Sequence, residues 1–173
     1  ALVEQTQVLA LDRRLAEVRC ADIMSRNLTT VEFGTPLSEA WTLLDRRQIK
    51  ALPVVDKGGH VVGIVTKADF LKAAGLDAYE GLAGRWRNFI QPAGSTRSDK
   101  PEVVGQIMTR KVRVTREQRT LSDLVLLFES TGHRHIPVVG EGDKLVGLVT
   151  PADVLRALKA VDATAPPSER DLE

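Results

Sequence analysis

Gly63-Ile64-Val65-Thr66-Lys67-Ala68-Asp69 returns 84 residues later as Gly147-Leu148-Val149-Thr150-Pro151-Ala152-Asp153. The same offset carries Ile23-Met24-Ser25-Arg26 onto Ile107-Met108-Thr109-Arg110 and Pro53-Val54-Val55 onto Pro137-Val138-Val139. Shifting residues 23–71 onto 107–155 needs no gap and matches 17 of 49 positions. A repeat at fixed offset is the strongest architectural signal a sequence gives, so the chain reads as one structural unit written twice.

Each copy has the same local grammar. A short strand is expected at Leu28 to Val31 and at Val112 to Thr115. The helix after it opens at Thr35-Pro36 in the first copy, an N-cap followed by proline at the first helical position. In the second copy Thr120 and Asp123 have the spacing of a capping box. Leu37, Ala40, Trp41 and Leu44, and in the second copy Leu121, Leu124, Val125 and Phe128, recur at helical spacing and define one buried face. Two β-branched runs follow, Leu52 to Val55 and Val61 to Val65, around the turn cluster Asp56-Lys57-Gly58-Gly59. Their counterparts are Ile136 to Val139 and Leu145 to Val149, and a last helix starts at Thr66 or Thr150.

The reading is therefore an α/β (α+β) fold of two tandem β-α-β-β-α units, residues 20–75 and 103–160. A unit of about 50 residues buries too little surface to stand alone, so the two are expected to pack sheet to sheet about a pseudo-twofold axis with two related clefts. Residues 1–19 are read as an N-terminal amphipathic helix with a seam at Val8, Leu11, Leu15 and Val18. Residues 76–102, with Tyr79, Trp86 and Phe89, form a linker, and residues 161–173 a flexible tail.

Composition limits the function. Twenty-four Lys and Arg against 23 Asp and Glu leave a net charge of +1, which argues against a protein built to grip a phosphate backbone. The basic run from Arg110 to Arg116 alternates like a solvated strand face, so nucleic acid is a minor alternative. One cysteine, Cys20, builds neither a disulfide nor a cysteine-rich metal site and favours a reducing, cytoplasmic setting. His133-Arg134-His135 lacks third and fourth metal ligands. No nucleophile–base pair, paired carboxylates or Gly-rich phosphate loop is present, so no catalytic residue and no metal site is expected. The chain starts at Ala1, in what reads as the middle of a helix. It is expected to be a fragment lacking an attached N-terminal domain.

The duplicated Met-Ser/Thr start, Pro-Val-Val strand and Gly-x-x-Thr-x-x-Asp end resemble the CBS-domain pair, or Bateman module, a regulatory ligand-sensing unit. The aromatic linker and the N-terminal helix also look like the cytosolic C-terminal part of HPP-family bacterial membrane proteins, which would set the chain on the cytoplasmic face of a membrane. The resemblance implies an adenosyl ligand (AMP, ADP, ATP or S-adenosylmethionine) with no required cofactor. It carries phosphate and ribose contacts onto Thr66, Asp69, Thr150 and Asp153, and further phosphate contacts onto Lys50, Arg134 and His135. The residues themselves fit such chemistry. A threonine at a helix start lies beside free N–H groups and the positive dipole end, and an aspartate one turn on can accept ribose hydroxyls. Ile64 and Leu148 would wall the base, with Thr35 near it. The same Thr-x-x-Asp spacing equally fits a plain helix cap.

The resemblance further implies a homodimer through helical faces at Leu43, Leu44, Leu127 and Phe128. A module that dimerises without binding any ligand is the main alternative.

Overall fold

The computed structural model describes residues 2–75, 86, 89, 90 and 100–163. Its elements are α1 (Leu2–Glu17), α2 (Cys20–Ile23), α3 (Leu37–Arg46), β1 (Ala51–Val55), β2 (Val61–Thr66), α4 (Lys67–Ala73), β3 (Thr115–Arg116), α5 (Leu121–Thr131), β4 (Ile136–Val139), β5 (Leu145–Val149) and α6 (Pro151–Ala163). They form two compact units. One joins Asn27–Val112 with Glu141–Leu145; the other joins Ala1–Arg26, Arg113–Gly140 and Val146–Glu173.

The first unit is built on the antiparallel hairpin β1–β2, in register from Ala51↔Thr66 to Val54↔Gly63. Its turn is held by Asp56, whose Oδ1 accepts the N–H of Gly58 at 2.8 Å and of His60 at 2.9 Å. These bonds, the His60 N–H first, keep the Asp56 carboxyl below the usual carboxylate range. β1 is apolar and buried over Ala51–Val54, as expected of a strand covered on both faces. On it α3 lays Leu37, Ala40 and Leu44, all buried. Phe70, Phe89 and Val104 complete this core. Trp86 meets Trp41 edge-on at 4.3 Å between ring centres, so this linker tryptophan packs within the unit. Tyr79 and most of the linker lie outside the described residues.

The second unit carries the sheet β3-β4-β5, with β3 parallel to β4. Cys20, Met24, Leu121, Leu124, Ile136, Val138, Val149 and Val154 form its core. Thr120 caps α5 and bonds reciprocally with Asp123, as the spacing predicts; Gly132, with φ of 65°, closes the helix in the left-handed conformation.

Several expectations change. The strand expected at Leu28–Val31 contracts to one parallel bridge, Val31↔Val54, and the one at Val112–Thr115 moves to Thr115–Arg116. Proline explains both. Val31 donates to the Pro53 carbonyl and Val55 donates back to Val31, but the next rung needs an N–H from Pro53, which has none; Pro137 stops the second ladder in the same way. Pro36, not Thr35, is the N-cap residue of α3. Thr35 closes a preceding turn instead, its hydroxyl accepting the Glu32 N–H at 3.0 Å. Val125 is exposed rather than buried, and Leu44 is core rather than surface. Leu43, Leu127 and Phe128 pack against the cores of their own units. Of the expected seam, Leu15 on α1 and Val18 just after it pack on a core, while Val8 and Leu11 are exposed. α6 runs to Ala163 because Val161 is buried and its carbonyl accepts the Arg14 guanidinium at 3.3 Å. Residues 164–173 lie outside the described residues.

The compact units do not follow the repeat boundaries. Ser25 of the first copy exchanges two backbone hydrogen bonds with Leu148 of the second, at 2.9 and 3.0 Å; Thr109 of the second exchanges two with Ile64 of the first, at 2.9 and 3.0 Å. The Met-Ser/Thr segment of each copy thus completes the hairpin of the other.

Candidate functional site

The repeated Gly-x-x-Thr-x-x-Asp segments place a threonine at the start of α4 and of α6. Thr66 has extended backbone (φ −120°, ψ 164°) and caps α4, its hydroxyl accepting the Asp69 N–H. Asp69 Oδ2 returns the bond, accepting Thr66 N–H at 2.8 Å and Thr66 Oγ1–H at 2.9 Å. At α6 the geometry repeats: Asp153 Oδ2 accepts Thr150 N–H and Oγ1–H, both at 2.8 Å. Each cap uses one oxygen of its aspartate, and the other differs between copies. Asp69 Oδ1 receives no hydrogen bond from a described residue, whereas Asp153 Oδ1 accepts the Arg156 guanidinium at 2.6 Å.

The glycines of the motif have a packing role. A Cβ on Gly63 would lie 2.5 Å from Met108 Sδ and 3.0 Å from the Thr109 carbonyl oxygen. One on Gly147 would run into Met24 Sδ, with Met24 Cγ at 2.8 Å. The exchanged methionine of each unit therefore demands the glycine, so its presence is no evidence of a ligand.

The remaining residues expected at the site are distributed as follows. Lys50, with an exposed side chain, gives its carbonyl to the Lys67 N–H at 3.3 Å and so borders Thr66 within its own unit. Lys67 Nζ lies 5.6 Å from the centre of the Trp41 ring, a cation–π contact. Ile64 is buried and Leu148 half-buried, so of the two only Leu148 has appreciable surface to offer a base. Arg134 is exposed, and His135 is half-buried and already engaged in an interaction within the chain. Thr35 lines an open cavity of about 490 Å³ with Thr30, Glu32, Gly34 and Glu39. Neither Thr66 nor Asp69 lines that cavity, and its two glutamates disfavour an anion.

Cys20 is fully buried, and its thiol is pushed up to about 11 by burial and then by the charges of Glu117 and Asp153. A thiol so held stays protonated at neutral pH and is a poor nucleophile. Among the described residues no three His, Cys, Asp or Glu side chains cluster as a metal site, and no helix is long and apolar enough to cross a membrane.

The exchanged Met-Ser/Thr segments and doubled Thr-x-x-Asp caps define a tandem-repeat module of two intertwined α+β units. The CBS domain model matches residues 20–75 and 104–160, and the chain belongs to the CBS-domain family.

Among its relatives is the chloroplastic CBS domain-containing protein CBSX2 of Arabidopsis thaliana. It is 30% identical over 143 residues, which are 76% of this chain and 59% of that protein, so the chain spans about three fifths of the relative's length. The crystal structure of CBSX2 in complex with AMP matches with a TM-score of 0.67 at 28% identity, over 84% of this chain and 98% of that one. The CBS domain pair of protein MJ0100, in complex with 5′-methylthioadenosine and S-adenosylmethionine, matches with a TM-score of 0.63 at 26% identity, over 83% and 97%. The CBS domain of a membrane protein from Sphaerobacter thermophilus matches with a TM-score of 0.70 at 26% identity, over 91% and 98%. The α+β fold expected from the repeat is that of CBS pairs. The likeness to HPP-family membrane proteins is not borne out.

Arg156 escaped the sequence reading, although Asp153-x-x-Arg156 has the i,i+3 spacing of a helical ion pair. The methionine–glycine contacts were visible only as two unconnected repeated motifs.

Proposed function

We propose that this chain is a regulatory module that binds an adenosyl ligand through its Thr-x-x-Asp pairs and passes occupancy to an attached domain. The observation that carries the reading is the second carboxylate oxygen of Asp69: a cap needs one oxygen, and Oδ1 receives no hydrogen bond from a described residue, which leaves an acceptor for ribose hydroxyls beside the polar threonine start. The AMP bound by CBSX2 and the S-adenosylmethionine bound by MJ0100 support the ligand class. Lys50 serves as a phosphate contact in the unit of Thr66 and Asp69; in the other unit, with Thr150 and Asp153, Arg134 and His135 serve as phosphate contacts and Leu148 as a wall for the base.

The attached domain is the less direct part of the proposal. It is supported by the likeness to the CBS domain of a membrane protein from Sphaerobacter thermophilus. Homodimerisation belongs to the same proposal, now through Val125 and Leu126 of α5 and Leu155 of α6, which are exposed apolar residues, instead of the packed Leu44. A reducing, cytoplasmic setting suits the single buried thiol.

Calorimetric titration of the chain with AMP, ATP and S-adenosylmethionine tests the reading. Saturable binding of at least one, weakened tenfold or more by Asp69→Asn, is expected. Absence of heat for all three would leave only the capping role.

A further inference from the structure

In both copies aspartate Oδ2 accepts the threonine N–H and hydroxyl, but the second oxygens differ. Asp153 Oδ1 is paired with Arg156 at 2.6 Å, where the aspartate side chain is 13% exposed and the arginine 75%. Lys72 stands at the corresponding position of the first copy, yet Asp69 has no ion pair among the described residues. Oδ2 already accepts both the N–H and the hydroxyl of Thr150. A pair of ribose hydroxyls approaching Asp153 therefore needs Oδ1, the oxygen that Arg156 holds. A guanidinium is always charged and donates along a fixed planar fork, so a neutral diol must displace it before bonding.

We infer that Arg156 is an internal competitor for the Thr150–Asp153 site, a specificity-determining residue that weakens binding of a neutral ribose there while leaving Asp69 untouched. The inference rests on the adenosyl-binding reading above. Because the pair is mostly solvated on the arginine side, its hold is small: an exposed ion pair of this kind amounts to about a two- to fivefold effect on an equilibrium. It also weakens with salt, since the Debye length falls from about 10 Å at 0.1 M to about 3 Å at 1 M.

The test uses adenosine, which has the diol but no phosphate for Arg156 to attract. Asp69→Asn isolates the second site, and Arg156→Gln is then added to it; Arg156 is exposed, so the substitution leaves the core intact. Titrated at 50 mM KCl, the Asp69→Asn/Arg156→Gln chain is expected to bind adenosine two- to fivefold more tightly than Asp69→Asn, and the gap is expected to shrink at 0.5 M KCl. Equal or weaker binding by the doubly substituted chain overturns the competitor role alone, provided the parent chain binds. Loss of all binding in both substituted chains, with the parent still binding, overturns it as well, because Thr150–Asp153 is then not a site. A parent chain that binds no adenosyl ligand overturns this inference and the proposed function together.

Discussion

Replacing Gly147 by alanine tests the packing account of the motif glycine against a ligand account. Met24 is buried, 7% exposed, and a new Cβ would meet its Sδ, its Cγ at 2.8 Å and its Cβ at 3.2 Å. The obstacle is thus not a flexible chain end that swings aside: the Met24 Cβ is fixed by the backbone, and that backbone is tied through Ser25 to Leu148 by two hydrogen bonds. Overpacking of this kind costs about 1–3 kcal/mol. For a chain of this length that lowers Tm by about 2–12 °C. Urea unfolding should show the loss as a lower midpoint at constant slope. Met24→Ala alone removes a buried side chain and costs about 2–5 kcal/mol. In the Gly147→Ala/Met24→Ala protein the added methyl occupies part of the vacated space, so the double variant should be at least about 1 kcal/mol more stable than additivity predicts. A Gly147→Ala protein as stable as the parent, or strict additivity in the cycle, would refute the argument.

Two further outcomes follow from the structure. Ionisation of Cys20 is suppressed in the folded state, so stability is fully present below the ordinary thiol value of 9.0 and is lost as pH rises toward about 11. The loss is on the order of 2–3 kcal/mol, and unfolding free energies at pH 8 and 10.5 should fall further in the parent than in Cys20→Ala; parallel losses would contradict it. Thr120→Ala removes the hydroxyl that accepts the Asp123 N–H and should cost about 1 kcal/mol by urea titration, with adenosyl-ligand affinity unchanged; a loss of affinity would mean that this threonine does more than cap.

The sequence and the structure agree where the signal is local. β4 and β5 run over the residues their β-branched runs mark, and the Thr120–Asp123 cap forms as its spacing requires. The first strand of each copy was overestimated because Leu28–Val31 looks like a strand in isolation, while the missing N–H that truncates it belongs to Pro53, more than twenty residues away. Segment exchange left no local trace: Ser25 finds Leu148, and Thr109 finds Ile64, through tertiary pairing that no periodicity encodes. The Thr-Asp pairs of the candidate site were legible as caps and as binding groups at once, since both roles need an oxygen acceptor one turn into the helix. What separates the copies is a side chain outside the motif, Arg156, and its effect depends on a distance rather than on a pattern.

In the proposed site the second oxygen of a capping aspartate holds ribose. A crystal structure of the chain soaked with AMP measures it directly. Ribose hydroxyls are expected within hydrogen-bond distance of Asp69 Oδ1, with the Thr66 cap intact. AMP bound with its ribose away from both Asp69 and Asp153 would contradict it.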